Sequence, residues 1–539
     1  MSDPAEHRTK PGRWTAVKAA LTHPSFLELL RWCLPALLVG LALRIAMMIS
    51  MPYAFIQYDS SDFYETTYHF LEKHQFYINN RRSYLTPYLF SLPCLLPFPA
   101  LITTAIVQHG LGLVATVLVG ALVRLWFRWW KVAIIPITLL FAVSPMVMWY
   151  EHVVLGEAQY LFFALVAVLL GTLFVRRPGW PIFAGFMVSV FLVMGTRLEA
   201  KTFCLFSLVL IVRVFWKQWL RMGIGLAVLA VVMCLALRLG PGRDGSSLMY
   251  ATLLRFAPDQ SKHEPDIAPY LLPLRDDVRQ RYPDYPGDLV QLDKDVLKMA
   301  EEYVRDQKKL HIKKDKSKVL KNLCREAIAA RPVDSLLLPV QKFHLAIDVW
   351  SAYAYDEEAL LKKQLVSATH RVWMLKLSKR LTGKKCDKEQ MIAWVNGHYD
   401  PQKIAWFGRY QDIWNQVRIF FRMPDRPMTQ ERWVHDFYGA IPDKHHMMPG
   451  MPYFYFLALL GMTVTFFRPA RFQWVHIGWI ATMLGGLYVA SMVGVTNARY
   501  RFACEIFFVI YFGLLIDAGV SWWKGRREVA ASGSVAPGT

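Results

Sequence analysis

The chain has 539 residues, 54% of them apolar and 19% charged, and a mean hydropathy of +0.25. So much apolar surface excludes a disordered chain, while 31 Gly and 30 Pro without period and only 7 Cys exclude collagen-like chains and disulfide scaffolds. The 62 Lys+Arg and 41 Asp+Glu give +21, yet outside residues 241–450 the bases stand singly between apolar runs, which marks membrane topology and excludes nucleic acid as a partner.

In chain order, residues 1–31 form a polar cytoplasmic segment without a cleavage-type signal, so the first span acts as an uncleaved anchor. A helix crosses the hydrocarbon core with about 20 apolar residues. Ten stretches meet or approach that length: 32–52, 101–127, 131–149, 156–175, 180–196, 201–217, 221–239, 451–467, 473–495 and 502–522. With the start inside, the inner segments carry Arg124, Arg128 and Lys131, then Arg176 and Arg177, then Arg213, Lys217 and Arg221, then Arg468 and Arg471. The tail 523–539, with Lys524, Arg526 and Arg527, ends inside too. Every inner segment is basic, as the positive-inside rule requires. The fold class is therefore an all-α polytopic membrane protein of about ten or more transmembrane helices.

Its parts are a transmembrane module (32–240) with a first outer loop (53–100), an extracytoplasmic insert (241–450) and C-terminal transmembrane helices (451–522). The insert is bounded by Gly240-Pro241-Gly242 and Pro449-Gly450 and holds 28 acids and 35 bases. Patterns such as Leu289 to Lys309 make it mainly amphipathic and helical. Two aromatic stretches, 335–354 and 404–421, are too charged to span and are expected to lie on the membrane surface. Cys324 and Cys386 both fall in the insert, where they can pair in an oxidising compartment or remain thiols.

Acids are costly near a bilayer, so the few outside the insert stand out. Asp59, Asp62, Glu65 and Glu72 fall in the first outer loop, Glu151 and Glu157 near span four, Glu199 after span five and Glu505 in the last span. The topology puts all of them on the outer face, with Arg81, Arg82, Arg197, Lys201, Arg499 and Arg501. Each pair alone reads equally as a salt bridge pinning loops. Together they read as an anion-binding site, since arginine grips phosphate through a planar fork and carboxylates serve as bases beside it. Arg44, inside span one, must snorkel outward or pair with Asp517 or another buried acid. His435 and His445-His446 fit no standard metal-ligand spacing, so no metal site is expected.

The run Tyr58-Asp59-Ser60-Ser61-Asp62-Phe63, followed by Leu71 and His74-Gln75-Phe76, resembles the first-loop motif of GT-C membrane glycosyltransferases. It is most similar to the branch containing protein O-mannosyltransferases and the lipid A aminoarabinose transferase. Arg82 to Pro87 fits an Arg-x-Pro-Leu-Tyr-Pro pattern at Arg82, Leu85 and Pro87 and departs from it at Tyr84 and Thr86. Ser144-Pro145 and Leu155-Gly156-Glu157 resemble a Ser-Pro and a Leu-Ser-Glu that head the next span. Thr196-Arg197-Leu198-Glu199 matches Thr-Arg-Pro-Glu except at Leu198, and Arg499-Tyr500-Arg501 with Glu505 resembles the signature before the final span, without its prolines.

The resemblance covers about 30–220 and 450–520. It implies a GT-C-like hexosyl- or pentosyltransferase, inverting, that moves a sugar from a polyprenyl-phosphate donor to a hydroxyl of a lipid, glycan or protein acceptor. It places the enzyme in a bacterial inner membrane, among membrane lipids, with its active site on the periplasmic side. By the same resemblance Asp59 is the base, with Asp62 and Glu157 beside it. Arg82, Arg197, Arg499 and Arg501 hold phosphate, and Tyr58, Arg81, Glu199, Lys201, Tyr500 and Glu505 can touch substrate. No cofactor is implied, and nothing supports a divalent metal. A glycan ligase or polymerase using a lipid diphosphate is the alternative. A transporter comes after it, because neither internal repeat nor midplane polar cluster is evident.

Overall fold

The computed structural model describes residues 24–56, 60–77, 83–197, 199–239, 246–281, 289–341, 377–398, 453–467, 472–493 and 498–533, with isolated positions between 403 and 413. Helices account for nearly all of these, and the one β feature among them is an isolated parallel bridge, Phe55 to Val153.

The first helix, α1 (Pro24–Ser50), is followed by α2 (Ser60–Glu72) and α3 (Leu85–Ser91) and then by the long α4 (Ala100–Trp126). Next come α5 (Trp130–Ala142) and α6 (Pro145–His152), bent by 46° where Ser144 caps α6 and Pro145 takes its first turn. A proline there costs nothing at a helix start but cannot continue α5, so the Ser-Pro pair breaks one span in two. The bundle continues through α7 (Glu157–Arg176), α8 (Trp180–Met194), α9 (Phe203–Phe215) and α10 (Trp219–Arg238). Five helices in the described residues are long and apolar enough to cross a membrane, six with the bent pair counted as one span. The other expected spans are also helical, and several are shorter, such as α8 at 15 residues.

Residues 246–341 carry α11 (Ser246–Leu253), α12 (Ala268–Arg281), α13 (Leu289–Lys309), α14 (Lys316–Ala330) and α15 (Pro332–Gln341), of which the first four close a core of their own. Here water drives assembly. Leu292, Val296, Met299, Ala300 and Tyr303 recur at helical spacing on α13 and close a core with Tyr250, Ile267, Leu320, Leu323 and Cys324. Burying each large apolar side chain contributes roughly 1.5–3 kcal/mol. Cys324 sits in this core and Cys386 lies in a separate part of the chain, and no disulfide joins them.

Residues 377–398, with α16 (Ser378–Thr382) and α17 (Lys388–His398), belong instead to the main bundle, where Leu377 and Leu381 join the core. So does Phe407, fully buried and stacked 6.1 Å from Trp149. Trp406 donates to Ser50 Oγ at 2.8 Å and the Tyr410 hydroxyl bonds the Val143 carbonyl. The described part of 404–421 therefore packs its aromatic side onto the helix ends. Its rings bury while the polar tips find acceptors, Trp406 at the end of α1 and Tyr410 at the bend between α5 and α6.

The last helices are α18 (Tyr453–Phe467), α19 (Gln473–Val493) and α20 (Ala498–Gly533). We call the end of the bundle where α1 finishes its upper end. At the lower end Asp517 accepts from the backbone N–H groups of Trp129 (2.9 Å) and Arg128 (3.3 Å), and Glu28 pairs with Arg124 at 3.1 Å. Arg44 does not reach Asp517.

Candidate functional site

The upper end of the bundle gathers four of the sequence motifs. The segment before the first motif is fixed by backbone pairing, Phe55 N–H to the His152 carbonyl and Val154 N–H to the Phe55 carbonyl, both at 2.8 Å. Just past the motif's aspartate, the Ser60 hydroxyl donates to the Val154 carbonyl at 2.8 Å. Gln108, inside α4, donates to the Leu155 carbonyl at 3.2 Å and so fixes the turn that leads into Glu157. Tyr58 and Asp59 lie outside the described residues, but Phe55 and Ser60 on either side of them are both tied to 152–154. Asp62 is buried in the first turn of α2, which packs its Phe63 ring 5.4 Å from Phe90 of α3.

The second motif docks on the fourth. Leu85 N–H donates to the Gly195 carbonyl at 2.8 Å, Thr86 Oγ1 to the Thr196 carbonyl at 3.1 Å, and the Tyr84 hydroxyl to the Phe191 carbonyl at 2.7 Å. Tyr84 and Thr86 are the two positions that depart from the resembled pattern, and both make these contacts. A β-carbon on Gly195 would sit 2.6 Å from the Tyr84 ring, so a glycine at 195 and a ring at 84 require each other. Arg81 and Arg82 lie outside the described residues.

Arg197 lies between two carboxylates. Its Nη1 donates to Glu157 and its Nε to Glu199, and all three side chains are less than a tenth exposed. Glu157 opens α7, where the helix dipole favours an anion. Lys201 lies half-buried on the 3₁₀ turn Glu199–Thr202. Thr202 holds that turn to α19 through the Thr482 carbonyl at 3.1 Å. Arg499, Tyr500 and Arg501 fall in the first turn of α20 and Glu505 in its second, with side chains outside the described set.

One expectation is corrected. Glu151 is not at the outer surface: it is 1% exposed and forms a forked pair with Arg44, Nη2 to Oε1 at 2.7 Å and Nε to Oε2 at 2.8 Å. Arg44 stands six residues, about 9 Å, before the upper end of α1. Its Nη1 donates to the carbonyls of Gly40 (3.0 Å) and Ala142 (2.9 Å). His109 Nδ1 lies 2.9 Å from Glu151 Oε2, and its Nε2 lies 3.0 Å from His152 Nδ1. This polar chain runs from α1 to the segment that pins Phe55. Sequence inspection missed His109, His152 and Gln108; the signal was Gln108-His109 inside an otherwise apolar span. Among the described residues no group of three His, Cys, Asp or Glu side chains is placed to hold a metal.

No family model matches the chain, and no curated protein matches it. Among solved structures it is similar to the Archaeoglobus fulgidus oligosaccharyltransferase in its apo form, at 11% identity and a TM-score of 0.40, over 94% of this chain and 52% of that one. The same archaeal enzyme tethered to an acceptor peptide containing the NVT sequon gives 10% identity and 0.35, over 90% and 49%. Its complex with Zn and sulfate gives 12% and 0.28, over 79% and 55%. The chain spans about half the length of these structures.

Proposed function

We propose that the protein is an integral-membrane glycosyltransferase of the GT-C kind, moving one sugar from a polyprenyl-phosphate donor to an acceptor hydroxyl at the upper, outer end of the bundle. The observation that carries the reading is the convergence just described. Ser60 binds Val154, Leu85 and Thr86 bind the 195–196 turn, and Arg197 bridges Glu157 and Glu199. Residues far apart in sequence thus meet where a donor phosphate and an acceptor can meet.

In this reading Asp59 takes the proton of the acceptor hydroxyl. The freed oxygen attacks the anomeric carbon from the face opposite the phosphate. As the new C–O bond forms, the bond to phosphate breaks and its electron pair leaves on polyprenyl phosphate, with inversion. A phosphate leaves readily, so cations suffice and no strong acid is needed. Arg197 spends its Nε and one Nη1 donor on carboxylates, so its first task is to orient Glu157. Donor phosphate then falls chiefly to Arg82, Arg499 and Arg501, the last two in a helix N-terminal turn that itself favours an anion. The insert's part around Trp406 and Phe407 covers the helix ends and limits water, which protects the activated sugar from hydrolysis.

The test is incubation of the purified protein with a panel of polyprenyl-phosphate sugars, wild type beside Asp59→Asn and Asp62→Asn. Loss of a positioned base costs about 10²–10⁴-fold in rate. Asp59→Asn is expected to lose turnover on that scale while still binding donor. Full activity of Asp59→Asn together with loss in Asp62→Asn would move the base to Asp62. No transfer from any donor would refute the reading.

A further inference from the structure

Beside the upper end of α4, a cavity of about 1240 Å³ opens between the stretch that precedes α4 and the α16–α17 turn. Its two walls differ in chemistry. One is apolar: Leu96, Pro97 and Phe98 line it, with Phe98 66% exposed. This wall runs on into the surface of α4, where Ile106, Val107 and Val114 are also exposed on a helix long and apolar enough to span. The other wall is basic, with Lys379, Arg380 and Lys385 in the lining and Lys384 and Lys388 beside them.

The acids in the lining are already engaged. Glu72 accepts from Arg380 Nε at 2.9 Å, and Arg380 also donates to the Cys94 carbonyl at 3.2 Å, which fastens the two walls together. Asp387 caps α17, its Oδ1 accepting from Gln390 N–H at 2.7 Å while Gln390 returns a bond to Asp387 N–H at 3.1 Å. The four lysines make no ion pair among the described residues. The turn that presents them is also fixed. Gly383 ends α16 at φ +82°, Thr382 Oγ1 bonds the Ser378 and Lys384 carbonyls, and the Ser378 hydroxyl accepts from Cys386 N–H.

A rigid basic turn facing an apolar wall that continues into a spanning helix fits an amphiphile with a negative head. We propose that this cavity seats an anionic phospholipid of the surrounding bilayer, its phosphate on Lys379 and Lys385 and its acyl chain along Phe98 and α4. The ammonium groups supply charge without a fixed fork, which suits a bulk lipid head more than a single oriented substrate. The inference goes beyond the proposed transfer reaction and stands whether or not that reaction is found.

The experiment reconstitutes the full chain in nanodiscs of phosphatidylcholine with increasing phosphatidylglycerol and counts retained lipid by native mass spectrometry. Wild type is expected to retain phosphatidylglycerol selectively, and added salt to weaken it. A Lys near a charged surface contributes about 1 kcal/mol, so Lys379→Gln with Lys385→Gln should lose roughly 30-fold in affinity. Lys379→Arg with Lys385→Arg should keep it, which separates lost charge from lost folding. Equal retention in wild type and the Gln variant overturns the proposal. So does displacement of phosphatidylglycerol by stoichiometric polyprenyl phosphate in wild type alone, which would make the cavity part of the donor site.

Discussion

Arg44 and Glu151 are 2% and 1% exposed and bind each other through a fork. Lipid provides no hydrophobic force between helices, so such polar contacts carry much of the bundle's specificity. Removing one partner of a buried pair leaves the other charge uncompensated, at roughly 3–5 kcal/mol. Glu151→Leu should therefore lower the melting temperature of the detergent-purified protein sharply, while Arg44→Leu/Glu151→Leu recovers much of the loss. A double variant no more stable than Glu151→Leu would show that the pair is not the unit that matters. The sequence left Arg44 either to snorkel outward or to pair with Asp517 or another acid, and could not choose between them. Position 151 read as outer because 131–149 read as one unbroken span ending before it, whereas the span is bent by 46° at Ser144-Pro145. The same limit hid Arg197's two carboxylates: each residue was recognisable alone, but their convergence depends on how the 3₁₀ turn at Glu199 folds back.

Single elements were the most legible scale. Leu289–Lys309 is a helix at the bounds its pattern marks, because alternating polar and apolar sides leave one way to bury Val296, Ala300 and Tyr303. The stretch around Trp406 was harder, since aromatic rings with scattered charges suit either a membrane surface or a bundle cap. Inside the insert body, Glu326 offers a further check. Burial opposes its charge, but hydrogen bonds from Ser261 and His263 outweigh it and hold its carboxyl below the usual glutamate value. A group with a lowered folded pKa contributes fully above its unfolded value, about 4.3, and loses that contribution as pH falls through the folded value. The buried Cys324 thiol reports the opening. Wild type should protect it from a pyridyl disulfide near neutral pH and lose protection in acid below about pH 4. Glu326→Gln should be less protected at neutral pH and respond less to acid; coincident curves would remove Glu326 from the account.

At the scale of the whole molecule, the ten apolar runs all fall on helices, though among the described residues five of these, or six with the bent pair, are long and apolar enough to cross a membrane. The packing of 377–398 onto the main bundle, and not onto the body that precedes it, was not legible, because both halves of the insert are equally charged. Orientation is open to a direct test. In a cysteine-free background, Lys262→Cys on the insert body and Lys131→Cys at the lower end offer two exposed sites. The positive-inside pattern predicts that an impermeant thiol reagent modifies the first in intact cells and leaves the second alone. Labelling of Lys131→Cys without Lys262→Cys would invert the map.

The Arg44–Glu151 fork also has a consequence for biosynthesis, because its halves are 107 residues apart. At about 5–20 residues per second, Arg44 enters the bilayer some 5–20 s before its counter-charge is made. During that interval α1 carries a cation that lipid rejects, so it must be held at the insertion machinery until α6 arrives. The pair thereby acts as a checkpoint on assembly order, and chains that lose Glu151 are expected to accumulate to lower levels than wild type, in addition to being less stable once folded.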